Sequence, residues 1–166
     1  MKINLIAIAG IALLAASCSS SKKQESGAVT STSSPPAPST DISRSGPAPD
    51  SIEYFNSVVG NTVLFDYDKY ELSSEARATL RGQAEWLNQN PMRTMVIEGH
   101  CDERGTREYN LGLGDRRSNS VRAYLLSLGV SAGRVRTLSY GKERPICTMS
   151  AGDCWQQNRR GVSTVQ

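Results

Sequence analysis

The sequence predicts an α/β (α+β) domain built as a mixed four-stranded sheet with helices packed on one face. Three observations carry that expectation. Short runs of β-branched and aromatic residues alternate with longer stretches whose apolar positions recur at helical spacing. Gly, Pro and Asn stand at the junctions between them. All ten aromatic residues lie at or after Tyr54, which confines the material for a core to the later part of the 166-residue chain.

In chain order, Ser51 to Val59 reads as a short helix closed by Gly60-Asn61, and Thr62 to Phe65 as the first strand. Ser73 or Ser74 offers a side-chain oxygen to the free N–H groups of a helix start. Ala76, Leu80, Ala84 and Leu87 then follow at helical spacing until Asn90-Pro91 stops the run. Thr94 to Glu98 reads as the second strand, and Gly99 opens a loop. Thr106 caps a long helix to Leu128, with Leu111, Gly114, Ser118, Val121, Leu125 and Leu128 expected on one buried stripe and Gly129 as terminator. Arg134 to Tyr140 is the third strand and Gly161 to Val165 the fourth, with a short helix before the last.

Composition excludes several classes of function. Lys plus Arg number 19 against 16 Asp plus Glu, and this net +3 is too small and too evenly spread for a nucleic-acid footprint. The single His excludes any site that needs two imidazoles, and with three of the four cysteines better assigned elsewhere no zinc is expected, nor is any other cofactor. No apolar run reaches the roughly 20 residues of a helical membrane crossing. Gly112-Leu113-Gly114 lies inside a predicted helix, where a dinucleotide-binding loop would need a strand-to-helix turn.

The chain divides into three parts. Residues 1–17 have the form of an export signal: Met1-Lys2, an apolar stretch from Ile3 to Leu14, and small residues leading to Cys18. Ala15-Ala16-Ser17 would suit ordinary signal peptidase. Leu14 to Cys18 also resembles a bacterial lipobox, with Ala15 where Leu is usual, and this reading gives the otherwise unpaired Cys18 a use as the site of lipidation. Buried acyl chains at about 0.8 kcal/mol per methylene would hold the protein on a bilayer. Ser19 rather than Asp after the Cys points, by analogy with known lipoproteins, to the outer membrane. Residues 18–50 are rich in Ser, Thr, Pro, Ala and Gly and form a linker without the apolar content needed to fold. Residues 51–166 form the domain.

The most informative stretch is Gly99 to Gly105, which joins a strand to the long helix at a strand's carboxyl end, where ligands of open α/β sheets bind. Asp102 stands in it, while Asn110, Leu113 and Arg117 fall on one face of the helix that follows. An acceptor, an amide and a guanidinium could converge on a zwitterion, with Asp102 taking an ammonium and Arg117 a carboxylate. The same residues also admit a plain use, Asp102 capping the helix and Arg117 pairing with a surface acid.

Phe65 to Lys69, Glu98 to Thr106, Tyr109-Asn110, Leu113 to Arg117, Ser139 to Glu143 and Asn158 to Arg160 together resemble the OmpA-like peptidoglycan-binding domain, over residues 60 to 165. The resemblance implies non-covalent binding of the peptidoglycan stem peptide through diaminopimelate, whose side-chain end is a zwitterion. Carried over by position, Asp102 and Arg117 match the pair that clamps its ammonium and carboxylate. Asn110 and Arg159 match supporting contacts, and Asp68 sits where the first loop approaches the ligand, with Asp66 a weaker, loop-forming candidate. It also implies partnership with the Tol system, notably TolB, in linking outer membrane to wall. Cys101 departs from the family's usual small or hydroxylated residue.

Cys147 and Cys154 enclose six residues just before Trp155 in a chain with an export signal, which favours a local disulfide. Cys101 is then left as a small buried residue, and His100 is expected to be hydrogen-bonded within its loop. The enzymatic alternative is a glycan hydrolase using Asp102 with Glu103 or Glu108. Against it, Arg104, Arg107 and Arg117 crowd these carboxylates, and the resemblance points to binding.

Overall fold

The computed structural model of the chain describes residues 46–166, and Cys18 with the expected signal and most of the linker lies outside them. The side chain of Ser51 accepts from the Tyr54 amide and opens α1 (Ile52–Tyr54), which runs directly into a π-helical turn, Phe55–Gly60. Phe55 is fully buried, its ring centroid 4.9 Å from that of Trp86, and Gly60 ends the turn at φ +86°. Strand β1 (Thr62–Leu64) follows.

Of the two candidate caps, Ser73 is the one used: its hydroxyl accepts from the Ala76 amide at the start of α2 (Ser74–Gln89). Ala76, Leu80, Ala84 and Leu87 are all buried, as their spacing requires. Strand β2 (Met95–His100) is longer than expected, because Gly99 pairs with both Ser139 and Gly161 and His100 pairs with Gly141 across a register shift. Thr106 caps α3 (Arg107–Ser127), its hydroxyl accepting from the Tyr109 amide. Strand β3 (Val135–Gly141), the short α4 (Gly152–Asn158) and β4 (Arg160–Val165) complete the chain.

The sheet order is β1-β4-β2-β3, mixed, with β2 and β3 parallel and β4 antiparallel to both its neighbours. A parallel pair needs a crossover, and α3 supplies it. Helices α2 and α3 cover one face, burying Val63, Met95, Ile97, Val135 and Val165 of the strands against Leu80, Leu87, Val121 and Leu125. Each such side chain contributes about 1.5–3 kcal/mol on leaving water.

The stripe expected along α3 is corrected in its first half. Leu111 is 51% exposed, and the buried positions there are Asn110, Leu113, Gly114, Arg117 and Ser118. Asn110, Arg117 and Val121 set the centre of the buried face, and Leu111, about 100° round the helix from Asn110, falls at its outer edge. The polar residue takes the inward place because the first turns of α3 lie against a loop and glycine backbone, with the apolar core further along. A Cβ placed on Gly99 would stand 1.9 Å from the Gly114 carbonyl oxygen, so strand and helix touch backbone to backbone. That contact holds the loop after β2 over the first turns of α3.

Candidate functional site

The loop after β2, the first turns of α3, the β1–α2 connection and Arg159, just before the last strand, line a cavity of about 220 Å³. All five residues singled out by the resemblance, Asp68, Asp102, Asn110, Arg117 and Arg159, line it. Tyr67, Arg104 and Tyr109 also line it and were not foreseen. The carboxylate of Asp66 lies outside the cavity, beside Lys69 Nζ at 3.5 Å in the open.

Arg117 is fully buried and does not pair with a surface acid. Its Nε donates to the Lys69 carbonyl at 2.8 Å, Nη1 to the His100 carbonyl at 2.8 Å and Nη2 to the Asp66 carbonyl at 3.0 Å. One guanidinium thus pins the β1–α2 connection to the end of β2. A guanidinium has five N–H donors, so these three bonds leave hydrogens over. Burial pushes the group's pKa down, yet an arginine remains charged.

Asp102 is 4% exposed and does not cap α3, a role taken by Thr106. Its Oδ1 accepts from the backbone N–H and Nε of Arg104, each at 3.2 Å, while Oδ2 accepts from Arg104 Nη2 at 2.6 Å and Arg159 Nη1 at 3.2 Å. Burial pushes this carboxyl up, but the hydrogen bonds of Arg104 and Arg159 and the charge of Arg104 outweigh it and hold it below the ordinary carboxylate range. Arg159 is in turn fixed by donating to the Phe65 carbonyl at 3.1 Å and to Gln156 Oε1. The amide nitrogen of Asn110 ties the loop to the helix through the carbonyls of Arg104, at 2.7 Å, and Thr106, at 3.0 Å.

The rim is aromatic and cationic. The guanidinium carbon of Arg104 lies 4.1 Å from the Tyr67 ring centroid and 4.2 Å from that of Trp155, between the two faces. Asp68 adopts φ +56° and accepts from the Tyr109 hydroxyl, which raises the phenol's pKa. The sequence had set Arg104 beside the Asp102 carboxylate, two residues on, but only as a group that crowds it and not as its salt-bridge partner in the cavity.

Cys147 and Cys154 are joined by a disulfide with Cα atoms 5.3 Å apart, and Cys101 is a free, buried thiol that burial pushes up in pKa. Asn158 closes the cystine loop, its Oδ1 accepting from the amides of Ile146 and Cys147. Ser150 and Trp155, on this segment, donate to the Glu103 carboxylate at 2.6 and 3.0 Å. Neither Glu103 nor Glu108 lines the cavity with Asp102, so the hydrolytic pair is not assembled there.

His100 is corrected. It is 2% exposed and neither ring nitrogen has a hydrogen-bond partner; Nε2 stands 3.6 Å from a Glu98 carboxylate oxygen. The ring stacks on Tyr140 at 5.4 Å, and its position at the end of a strand replaces the loop contacts that were expected. Among the described residues, no group of His, Cys, Asp or Glu is placed to hold a metal ion, and no helix is long and apolar enough to cross a membrane.

The model of the OmpA family matches residues 64–159, and the chain belongs to that family. Its curated relatives include the peptidoglycan-associated lipoprotein of Mesorhizobium japonicum, 42% identical over 164 residues that cover 98% of this chain and 92% of that protein. The protein of the same name from Brucella melitensis is 48% identical over 117 residues, 70% of each chain. Among solved structures, the peptidoglycan-associated lipoprotein of Burkholderia pseudomallei is similar with a TM-score of 0.65 and 37% identity, covering 67% of this chain and 96% of that one. The periplasmic domain of Helicobacter pylori MotB, 16% identical at a TM-score of 0.56 over 62% of this chain and 69% of its own, shares the fold.

Proposed function

We propose that this chain is an outer-membrane lipoprotein that binds the peptidoglycan stem peptide non-covalently through diaminopimelate and so links membrane to wall. One observation carries the reading: in a chain of the OmpA family, Asp68, Asp102, Asn110, Arg117 and Arg159 line a single cavity. Such a cavity suits a zwitterion. The remaining N–H groups of Arg117 are donors for the ligand carboxylate, and Asp102 is the counter-charge for its ammonium, with Asn110 and Arg159 in support. Both charges are desolvated, so geometry as well as charge selects the ligand. No covalent step is involved, and the protein is not an enzyme.

The same proposal assigns residues 1–17 to a signal peptide, Cys18 to lipidation, 18–50 to a tether and 51–166 to the wall-binding domain in the periplasm. The proposal extends to association with the Tol–Pal system, TolB included, and with it a part in envelope integrity and cell division; the resemblance of the domain's motifs implies that partnership. Mass spectrometry of the mature amino terminus tests the lipid, and capture of TolB by the purified chain tests the partner.

Binding is tested by co-sedimentation of the full chain, in mild detergent, with isolated wall sacculi. Asp102→Ala should lose most of the pelleting, since removing one half of a desolvated charge pair costs about 2–5 kcal/mol. A free diaminopimelate-containing peptide should compete. Unchanged pelleting of the variant, or indifference to the peptide, overturns the assignment, and release of soluble fragments from the sacculi would favour a hydrolase.

A further inference from the structure

The proposed role for Asp102 meets an obstacle in the geometry, because its carboxylate has nothing left to offer. A carboxylate has about four lone-pair sites. Here four N–H groups fill them, three from Arg104 and one from Arg159. A ligand ammonium can reach Asp102 only if one of these donors leaves.

The two arginines differ in how firmly they are held. Arg159 has a side chain only 11% exposed and is anchored away from Asp102 by the Phe65 carbonyl and Gln156. Arg104 has a side chain 34% exposed, and every hydrogen bond its guanidinium makes goes to Asp102. Its remaining hold is the slot between the rings of Tyr67 and Trp155, whose faces attract a cation without fixing it by hydrogen bonds. The backbone N–H of Arg104 does not depend on the side chain and stays on Oδ1 when the guanidinium moves.

We propose that Arg104 is a built-in occupant of the site: its guanidinium takes the place of the ligand's ammonium on Asp102, and the stem peptide binds by displacing it. This rests on the reading of the cavity as a diaminopimelate site. It makes Arg104 a specificity-determining residue. A ligand with a free ammonium replaces the salt bridge it breaks, whereas a ligand without one would leave Asp102 short of a partner and is refused. It also explains how a carboxylate this deeply buried stays charged in the empty protein.

The experiment is calorimetric titration of the full chain, in mild detergent, with a synthetic stem tripeptide ending in diaminopimelate, and with the same peptide acetylated on the side-chain amine. Arg104→Gln removes the competing charge and should bind the free-amine peptide roughly threefold to tenfold more tightly than the unaltered protein. Arg104→Lys keeps a displaceable cation but loses the two-pronged hold on Asp102, so its affinity should fall between those of the unaltered protein and Arg104→Gln. The gain in Arg104→Gln should vanish with the acetylated peptide, a readout that a merely structural role would not produce. Equal or weaker binding of the free-amine peptide by Arg104→Gln, with Arg104→Lys no weaker than the unaltered protein, overturns the displacement and leaves the diaminopimelate site standing. Weakening in both variants makes Arg104 a direct ligand contact and also overturns it. Failure of the unaltered protein and Arg104→Gln alike to bind either peptide overturns both readings.

Discussion

His100 and Asp102 stand two residues apart at the end of β2, both more than nine-tenths buried, and their surroundings treat them in opposite ways. Asp102 is saturated with donors, and its carboxyl is held below the ordinary range. His100 has no hydrogen bond on either nitrogen, the Glu98 carboxylate coming no nearer than 3.6 Å, and burial, then repulsion from Arg160 and Arg144, push its pKa down to about 4. A charge survives inside this protein where fixed dipoles and counter-charges replace water, and an ionisable group left without them stays neutral. The first arrangement belongs to the candidate site. The second weakens the fold in acid.

The largest expected break in that contrast is Arg117→Ala. It strips the donor from three carbonyls that hold the site's loops together and should cost about 3–5 kcal/mol, read as a lower urea midpoint. Arg117→Lys should recover only part of it, since an ammonium cannot match the fork geometry. Full stability in the alanine variant would show that the three carbonyls find other partners.

Acid stability should separate the two residues by pH window. His100 titrates near 6.5 when unfolded and about 4 when folded, so the unfolded chain gains the proton first and stability falls as pH drops from 6.5 to about 4. The loss should reach about 3 kcal/mol. Asp102 behaves differently: its lowered pKa contributes stability above the unfolded carboxylate value, which is lost only as pH falls further through the folded one. His100→Phe should keep the stack on Tyr140, leave stability at pH 7 within about 1 kcal/mol, and abolish the first window. An unchanged pH profile in that variant would show that His100 finds a partner in solution.

A smaller effect is expected from replacing Cys147 and Cys154 together by Ser. Opening so short a loop costs roughly 2.5 kcal/mol on the chain-entropy model. Because the loop carries Ser150 and Trp155 to Glu103, stem-peptide binding should weaken along with stability. The smallest effect is at the rim. Asp68→Asn should return the Tyr109 phenol toward its ordinary pKa, seen as an earlier step in ultraviolet difference titration, with no change in the urea midpoint. A phenol titration unmoved by the substitution would mean that the pair does not form in solution.

Much of the frame was legible because it is written locally. Ser73 and Thr106 are caps by residue type and position, and Ala76, Leu80, Ala84 and Leu87 show a buried face through spacing alone. Asn110, Leu113 and Arg117 share a helix face for the same reason. What could not be read are the contacts made by backbone carbonyls. Arg117 binds three of them, and every residue has a carbonyl, so no pattern of residue types announces the pairing. The exposed Leu111 and the unpartnered His100 were misjudged because side-chain chemistry was read without knowing what would be packed against it.

By itself, then, the sequence determined which stretches become strands and helices, where a core can begin, and which residues have the chemistry for a zwitterion. Those are properties of neighbours along the chain, governed by periodicity, caps and turn residues. Tertiary structure alone decided that Arg159 meets Asp102, that Tyr67 and Trp155 enclose the Arg104 guanidinium, and that Arg117 anchors the loops. Each of these depends on where segments distant in sequence return to one another. Burial makes the outcome matter, because a polar group out of water must find its partners or lose its charge.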